Sequence, residues 1–176
     1  KDSTLKFVYE VTDEIMQLFP DKIIHIGGDD AVKMRWSICP HCQKRIKDES
    51  LKDEQELYTW FMNKIASHIE KNGGKLEYVI LTHGHYDHIS YAKQLAEKFD
   101  AKIVTGEKNN EFLSNPALNL TEKHRLSLKP FSADILLKDG DNFMLGDTEI
   151  KYITTPGHTS GCGSYIFDDT IISGDT

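Results

Sequence analysis

The sequence has little of what marks proteins that bind nucleic acids or cross membranes. Its 21 lysines and arginines are outnumbered by 28 aspartates and glutamates, giving a formal net charge of −7, so nucleic acid is not expected as a partner. No apolar run approaches the roughly 20 residues of a membrane-spanning helix. The first residues also lack the charged-then-apolar pattern of a signal peptide. We therefore expect no membrane association and a cytoplasmic location.

Cysteine is also scarce, with three in the chain: Cys39, Cys42 and Cys162. An odd number without the spacing of a disulfide framework argues against a disulfide-stabilised scaffold and favours a reducing compartment. The pair in Cys39-Pro40-His41-Cys42 has two functional interpretations, half of a zinc site or a redox pair. No second pair completes a four-cysteine set, so zinc is not expected there. Cys162 is expected to be a small packing residue.

Hydrophobic periodicity divides the chain into helical and strand-like segments. It predicts helices over residues 4–19, 53–72 and 89–99, and strands over residues 22–26, 76–81 and 102–105. Because strand, helix and strand follow one another between residues 76 and 105, a parallel βαβ unit is expected there.

The remaining segments are less regular. Residues 31–50 show no clear period and are expected to be irregular, and a short helix is expected at 107–114. After residue 131 the pattern changes to short strands of a meander, at residues 143–145, 149–154, 164–167 and 170–172.

Four metal-binding side chains occur within six residues directly after the strand at 76–81: His83, His85, Asp87 and His88. An extended backbone would point His83 and His85 to one side. Three clustered imidazoles would repel one another as they bind protons, whereas a bound cation keeps them neutral. Nitrogen-rich sets with a carboxylate suit zinc, iron, cobalt or manganese better than calcium or magnesium. The alternative, a histidine-rich surface loop, explains the spacing less well.

Two later turns contain single candidate ligands. His158 lies in Thr155-Pro156-Gly157-His158-Thr159 and Asp175 lies in Ile172-Ser173-Gly174-Asp175-Thr176, each after a predicted strand. Taken alone, an aspartate in a turn is usually only a turn residue. Beside the first cluster, both residues become candidate ligands at strand ends.

Residues from about 70 to 176 resemble the metallo-β-lactamase-fold hydrolases. The matching stretches are LTHGHYDHI, DILLKDGD, LGDTEIKYI, TPGHTSG and ISGDT. The resemblance implies a four-layered αβ/βα sandwich with one or two zinc-type ions, iron or manganese being alternatives. It implies His83, His85 and His158 on one ion, Asp87 and His88 on the second, and Asp175 bridging them.

The resemblance also implies a reaction, in which the metals activate a water and polarise the scissile bond of a small-molecule substrate. Asp87 could then be a ligand or could orient the water, and Tyr86 and Thr159 could steer the imidazoles. The family normally has strands before the first histidine motif and a further histidine after the Gly-Asp-Thr segment. We therefore expect a partial sandwich and a weak second metal site.

Residues from about 1 to 70 resemble a different family, the bacterial exo-β-N-acetylhexosaminidases. The matching stretches are DKIIHIGGDDA, Trp36, CPHCQKRIK and DEQELYTWFMNKI. The resemblance implies a fragment of a (β/α)₈ barrel, in which Asp29 would position the substrate's acetamido group and Asp30 would replace a glutamate as general acid. Asp30 is one methylene too short, and one or two of eight barrel units cannot form a sugar pocket. We expect Asp29 and Asp30 to form an acidic turn.

Together these patterns predict an α/β chain with two segments. Residues 1–70 form a hexosaminidase-like βα segment that resembles a barrel fragment, and residues 71–176 form a metal-binding partial αβ/βα sandwich. A metal-dependent hydrolase is the expected function, with Asp87 and Asp175 as catalytic candidates. Two alternatives stay open, a metal-binding chain with little catalysis and a glycosidase using Asp29 and Asp30. The meeting of two resemblances near residues 64–76 predicts a fused or recombined chain.

Overall fold

The computed structural model describes residues 2–18, 24–27 and 33–175. These residues belong to two units, residues 1–76 and residues 77–176. Within the described ranges, no helix combines the length and apolar character needed to cross a membrane.

The first unit is helical in its described part. Its helices are α1 (Asp2–Leu18), α2 (Met34–Ile38), α3 (Pro40–Asp48) and α4 (Glu54–Lys71). The start of α4 is capped by Asp53, whose carboxylate accepts the backbone N–H of Glu56 at 2.8 Å, which satisfies one of the helix's free amide groups. The predicted helices at 4–19 and 53–72 correspond to α1 and α4.

Two expectations for this unit were wrong. Residues 31–50 contain α2 and α3, which the pattern missed because α3 is mostly polar and has no apolar stripe. It is held instead by charged pairs one turn apart, Lys44 with Asp48 at 2.6 Å and Arg45 with Glu49 at 3.1 Å.

The second error concerns the strand expected at residues 22–26. Residues 24–27 have no regular secondary structure, and residues 22 and 23 lie outside the described part. A strand needs a neighbour to pair its backbone groups, and the described residues of this unit include no other strand. The barrel resemblance therefore does not produce a βα unit in the described residues.

The second unit begins with a parallel sheet. Its strands are β1 (Tyr78–Ile80), β2 (Lys102–Gly106) and β3 (Ile135–Leu137), in the order β1-β2-β3. Two helices, α5 (Tyr86–Ile89) and α6 (Ala92–Phe99), connect β1 to β2. The predicted βαβ unit is confirmed by the parallel register of Val79 with Ile103. Ala92 and Ala96 of α6 share a buried cluster with Ile103.

The segment between β2 and β3 differs from the expectation. In place of a helix over 107–114 it forms one 3₁₀ turn, Glu107–Asn109, and a later short helix, α7 (Thr121–His124). The strand β3 was not predicted from periodicity, since three apolar residues in a row fit a buried strand and a helix equally well.

The predicted meander forms an antiparallel second sheet. Its strands are β4 (Asn142–Leu145), β5 (Thr148–Thr154), β6 (Gly163–Phe167) and β7 (Thr170–Ile172), paired in chain order. The inner face of this sheet packs on the first sheet, with Tyr152 and Tyr165 against Val104. The hydroxyl of Tyr165 donates to the backbone oxygen of Leu81 at 3.0 Å, directly before the histidine motif.

The second unit is thus layered as helix, sheet and sheet. The outer face of the second sheet exposes Met144 and Ile171. This arrangement is the partial αβ/βα sandwich expected from the sequence. Its strands β1, β5 and β7 each end just before a segment that contains candidate ligands. These three segments form the candidate functional site.

Candidate metal centre

The candidate ligands lie on three segments that follow strand ends. His83 and His85 follow β1, and His85 directly precedes the first turn of α5, which contains Asp87 and His88. His158 lies in the turn between β5 and β6, and Asp175 follows β7. Because β5 and β7 are both antiparallel to β6, they point the same way and end at one edge of the sheet.

Three histidines form the first group of ligand atoms: His83, His85 and His158. Their ring centroids are 4.6 to 4.9 Å apart, and the rings are nearly perpendicular to one another. Nε2 of His158 lies 2.8 Å from Nδ1 of His85. Three nitrogen ligands that converge in this way match the three protein ligands of a catalytic zinc site.

A second group is formed by His83, His88 and Asp175. Oδ1 of Asp175 lies 3.3 Å from Nε2 of His88. Oδ2 of the same carboxylate lies 3.5 Å from Nε2 of His158 and 4.0 Å from Nε2 of His83. The carboxylate of Asp175 therefore lies between the two groups, as a bridging ligand would.

Burial of the histidine nitrogens shows that a cation fits this site. His83 is fully buried, and Nε2 of both His83 and His88 is buried without a hydrogen-bond partner. A buried polar atom left in this state costs about 1–3 kcal/mol, and a bound cation would satisfy both nitrogens. The donor set, nitrogens with one carboxylate, is the chemistry that zinc prefers.

Burial favours the neutral form of two of these imidazoles, those of His83 and His85. Burial, followed by the neighbouring charge of His88, lowers the pKa of His83 to about 3. Burial also lowers the pKa of His85, with the charge of His158 as the next cause. A neutral imidazole leaves a nitrogen lone pair free at neutral pH, which is the form that binds metal.

Asp87 takes a different place from the other candidates. Among the described residues, its carboxylate belongs to neither group of converging ligand atoms. Its negative charge acts on the site from a distance, since it works against the lowering of the pKa of His83 and of His85. Its roles as a metal ligand or water-orienting group stay predictions.

The neighbouring residues named from the sequence build the ligand segments. Tyr86 donates its backbone N–H to the carbonyl of Asn119 at 3.0 Å, and its ring lies 4.8 Å from that of His124. Thr159 contacts the sulfur of buried Cys162 through its backbone N–H at 3.2 Å and its hydroxyl at 3.1 Å. Cys162 thus closes the turn that contains His158.

Sequence reasoning missed Asn109, which packs beneath both ligand segments. This fully buried residue donates to the hydroxyl of Thr105 at 2.7 Å. A Cβ at Gly84 would lie 2.9 Å from its Oδ1, and a Cβ at Gly161 would lie 3.0 Å from its Cα. The one sequence signal that could have found it is its place just after β2, beside the ends of neighbouring strands.

Thr82 and Gly174 also help to position His83. The hydroxyl of Thr82 lies 3.3 Å from Nδ1 of His83, which fixes the ring so that Nε2 faces the other ligands. Gly174 has a φ of +61° and lies so close to Thr82 that any Cβ would collide with its side chain. The remaining sequence candidates, Asp29 and Asp30, lie outside the described residues.

The fold and the ligand groups define the class of the second unit. Residues 58–176 match the model of the metallo-beta-lactamase superfamily, and the chain belongs to that superfamily. Residues 1–98 match the model of the glycosyl hydrolase family 20 catalytic domain, so the chain also belongs to that family through its N-terminal part. The two matches overlap at residues 58–98.

Curated relatives divide in the same way. A beta-hexosaminidase of Porphyromonas gingivalis is 45% identical over 76 residues, which are 43% of this chain and 10% of that protein. A probable polyketide biosynthesis zinc-dependent hydrolase of Bacillus subtilis is 30% identical over 67% of this chain and 46% of its own length. A hydroxyacylglutathione hydrolase of Acidiphilium cryptum is 37% identical over 61% of this chain and 38% of its own length. The chain spans less than half the length of each of these relatives.

Solved structures agree on the fold of the second unit. A metallo-beta-lactamase from Elizabethkingia meningoseptica superimposes with a TM-score of 0.53 and 26% identity, covering 64% of this chain and 47% of that one. A beta-lactamase from Chitinophaga pinensis gives a TM-score of 0.50 and 31% identity, covering 60% and 42%. The metallo-β-lactamase resemblance and the hexosaminidase resemblance of the sequence are both confirmed.

Proposed function

We propose that the second unit is a metal-dependent hydrolase whose first ion is zinc. The observation that supports this most directly is that Nε2 of His83 and Nε2 of His88 are buried without a hydrogen bond, beside the Asp175 carboxylate that lies between the two ligand groups. Relatives described as a zinc-dependent hydrolase and a hydroxyacylglutathione hydrolase support the same reaction class.

The ligand groups suggest how two ions would be held. His83, His85 and His158 would hold the first ion, and His88 with Asp175 would hold a second, weaker one. A bound ion of this kind lowers the pKa of a coordinated water and polarises the bond to be cleaved. Iron or manganese would suit the same set of ligands, and the number of ions is part of the proposal.

The exposure of the ligands suggests where a substrate approaches. The side chains of His83 and His88 are 1% and 4% exposed, whereas those of His158 and Asp175 are 34% and 38% exposed. The buried pair would form the floor of the site and the exposed pair its rim. A small-molecule ester, thioester, β-lactam or phosphodiester would then enter from the side of His158 and Asp175.

Metal content and turnover test this proposal together. Zinc bound per chain is measured after dialysis, for the unchanged protein and for His85→Ala, with His41→Ala as the control because His41 is exposed and belongs to the first unit. We expect His85→Ala to weaken zinc binding by 10-fold or more, about 1.4 kcal/mol, and the control to bind as before. A protein that retains no metal and loses no stability on chelation would overturn the proposal.

Turnover is then assayed with one substrate of each bond type and with a chromogenic N-acetylglucosaminide. Hydrolysis that stops on chelation and is absent from His85→Ala supports the hydrolase. Bound metal without any turnover would instead favour a chain that binds metal with little catalysis. Chelator-resistant cleavage of the sugar substrate would favour glycosidase activity through Asp29 and Asp30. This activity is the alternative because a hexosaminidase is 45% identical to part of the chain.

We also propose that the chain has two functional parts that meet where the two resemblances meet. Residues 1–70 form a hexosaminidase-like segment, and residues 71–176 form a metal-binding domain. The overlap of the two family matches at residues 58–98 and the separation of the structural units after residue 76 support a fused chain.

A further inference from the structure

The first unit contains a pair of reactive side chains at the start of α3. Cys39 directly precedes the helix with an extended backbone, φ −80° and ψ 116°, and Pro40 is the first helical residue. Cys42 lies one turn further on, and the carbonyl of Cys39 accepts the N–H of Gln43 at 3.0 Å. Both thiols are free and both residues are half-exposed, so reagents in solution can reach them.

The two cysteines lie within one helical turn of each other at the start of α3. Residues three apart on a helix have Cβ atoms about 5–6 Å apart, whereas a disulfide requires about 3.5–4.5 Å. The side chain of Cys42 is one of the causes that lower the pKa of Cys39, so the two thiols are close enough to influence each other. Because Cys39 precedes the helix in an extended conformation, a small backbone shift at Cys39 would close this gap and allow an S–S bond without unwinding the helix.

The environments of the two sulfurs differ. The side chain of Cys39 makes no capping hydrogen bond at the start of α3. The pKa of Cys39 is nevertheless lowered, first by the amide of Cys42, then by the thiol of Cys42 and the amide of His41. Burial, followed by the hydrogen bond with Cys39, raises the pKa of Cys42. Cys39 is therefore the better nucleophile, because the thiolate is the reactive form.

The surroundings favour redox chemistry over metal binding. Within the described ranges, the groups of side chains that could hold a metal both contain His83, and neither contains Cys39 or Cys42. Two thiols alone do not complete the four ligands of a structural zinc site.

We propose that Cys39 and Cys42 form a redox-active dithiol that exchanges with small-molecule disulfides, with Cys39 as the attacking sulfur. The Cys39 thiolate attacks one sulfur of the disulfide, the S–S bond of the small molecule breaks, and one small thiolate leaves. Cys42 then gives its proton to water and attacks Cys39, which releases the second small thiolate. The protein loses two electrons and two protons, and the small disulfide gains both to become two thiols.

The full chain is equilibrated with reduced and oxidised glutathione at a series of ratios, quenched with acid, alkylated and analysed by intact mass and peptide mapping. We expect a reversible Cys39–Cys42 disulfide with a single midpoint within the range of glutathione ratios. In the reduced protein at pH 7, we expect iodoacetamide to modify Cys39 at least about tenfold faster than Cys42, the effect of one pKa unit. Buried Cys162 is the internal reference for unfolding.

Two single variants separate the roles of the sulfurs. Cys42→Ser lacks the resolving thiol, so we expect a lasting mixed disulfide between Cys39 and glutathione. Cys39→Ser should form such an adduct at least about tenfold more slowly. Circular dichroism checks that each variant folds, and the titration of the unchanged protein needs neither variant.

Three results would overturn the inference. The first is a protein that forms no intrachain disulfide at any ratio of glutathione. The second is faster alkylation of Cys42 than of Cys39. The third is protection of both thiols by bound zinc that a chelator removes, which would make the pair a metal site.

Discussion

At the scale of single residues, Gly84 and Gly157 each lie immediately before a candidate ligand, yet in different surroundings. A Cβ at Gly84 would overlap the side chain of Phe112 and crowd Asn109, whereas a Cβ at Gly157 meets nothing within 4 Å. We expect Gly84→Ala to displace the segment with His83 and His85. Its cost in unfolding free energy should be about 1–3 kcal/mol, the usual range for overpacking.

Gly157→Ala is the matched control, because it changes the same residue type beside His158 in open space. Urea denaturation of the metal-free proteins gives the difference in stability, and zinc titration gives the difference in affinity. Equal losses of stability and zinc affinity in both variants would contradict the assigned packing.

The residues of the candidate centre show how far a motif predicts geometry. Five of the six sequence candidates for metal binding meet in the structure: His83, His85, His88, His158 and Asp175. Asp87 belongs to the same motif, but its carboxylate is in neither group of converging ligand atoms. Asn109 was not predicted, because its contact with two distant segments depends on how β2 packs in the sheet.

At the scale of elements, the interface between the two sheets contains two buried tyrosines, Tyr152 and Tyr165. Burial raises the pKa of Tyr152 to about 12 and raises that of Tyr165 as well, from the ordinary value of 10.0. The unfolded chain therefore loses these protons at a lower pH than the folded one. Stability is complete below pH 10 and falls as the pH rises from 10 towards 12.

Urea unfolding of the protein across pH 9 to 12 measures this effect, with tyrosinate absorbance recorded in parallel. Each group contributes a slope of up to about 1.4 kcal/mol per pH unit. Tyr152→Phe removes one ionisation, so its loss of stability over this range should be smaller. An unfolding free energy that stays constant up to pH 12 would rule out buried, protonated tyrosines.

The predicted elements differ in how well their own residues specify them. Helices α1 and α4 and the strands of the meander carry the apolar period of their structure, so they could be predicted. Helix α3 is mostly polar and has charged pairs one turn apart, which an apolar period does not detect. The apolar residues at 24 and 26 suggest a strand, but the described residues of the first unit offer no other strand to pair with.

At the scale of the whole molecule, all the candidate ligands that the described residues bring together belong to the second unit, residues 77–176. A ligand stabilises the unit that binds it, by about 2.7 kcal/mol at a free concentration 100 times its dissociation constant. We expect zinc to raise the melting temperature of the second unit by roughly 10 °C or more, since about 4–8 °C corresponds to each kcal/mol in a domain of this size.

Differential scanning calorimetry with zinc, and again with a chelator, should show two transitions of which only one moves. His85→Ala should remove the shift and leave the other transition in place. A single transition that moves as a whole would mean that the two units unfold together.

The sequence by itself determined the candidate metal-binding residues, the parallel βαβ unit, the meander and the presence of two family resemblances. These features depend on residue type and on spacing along the chain, which the sequence contains directly. Only the tertiary structure decided which donors converge, that Nε2 of His83 and of His88 is buried without a hydrogen bond, and that Asn109 packs against both ligand segments. These depend on contacts between residues far apart in the chain, whose distances are set by how the two sheets and α6 pack together.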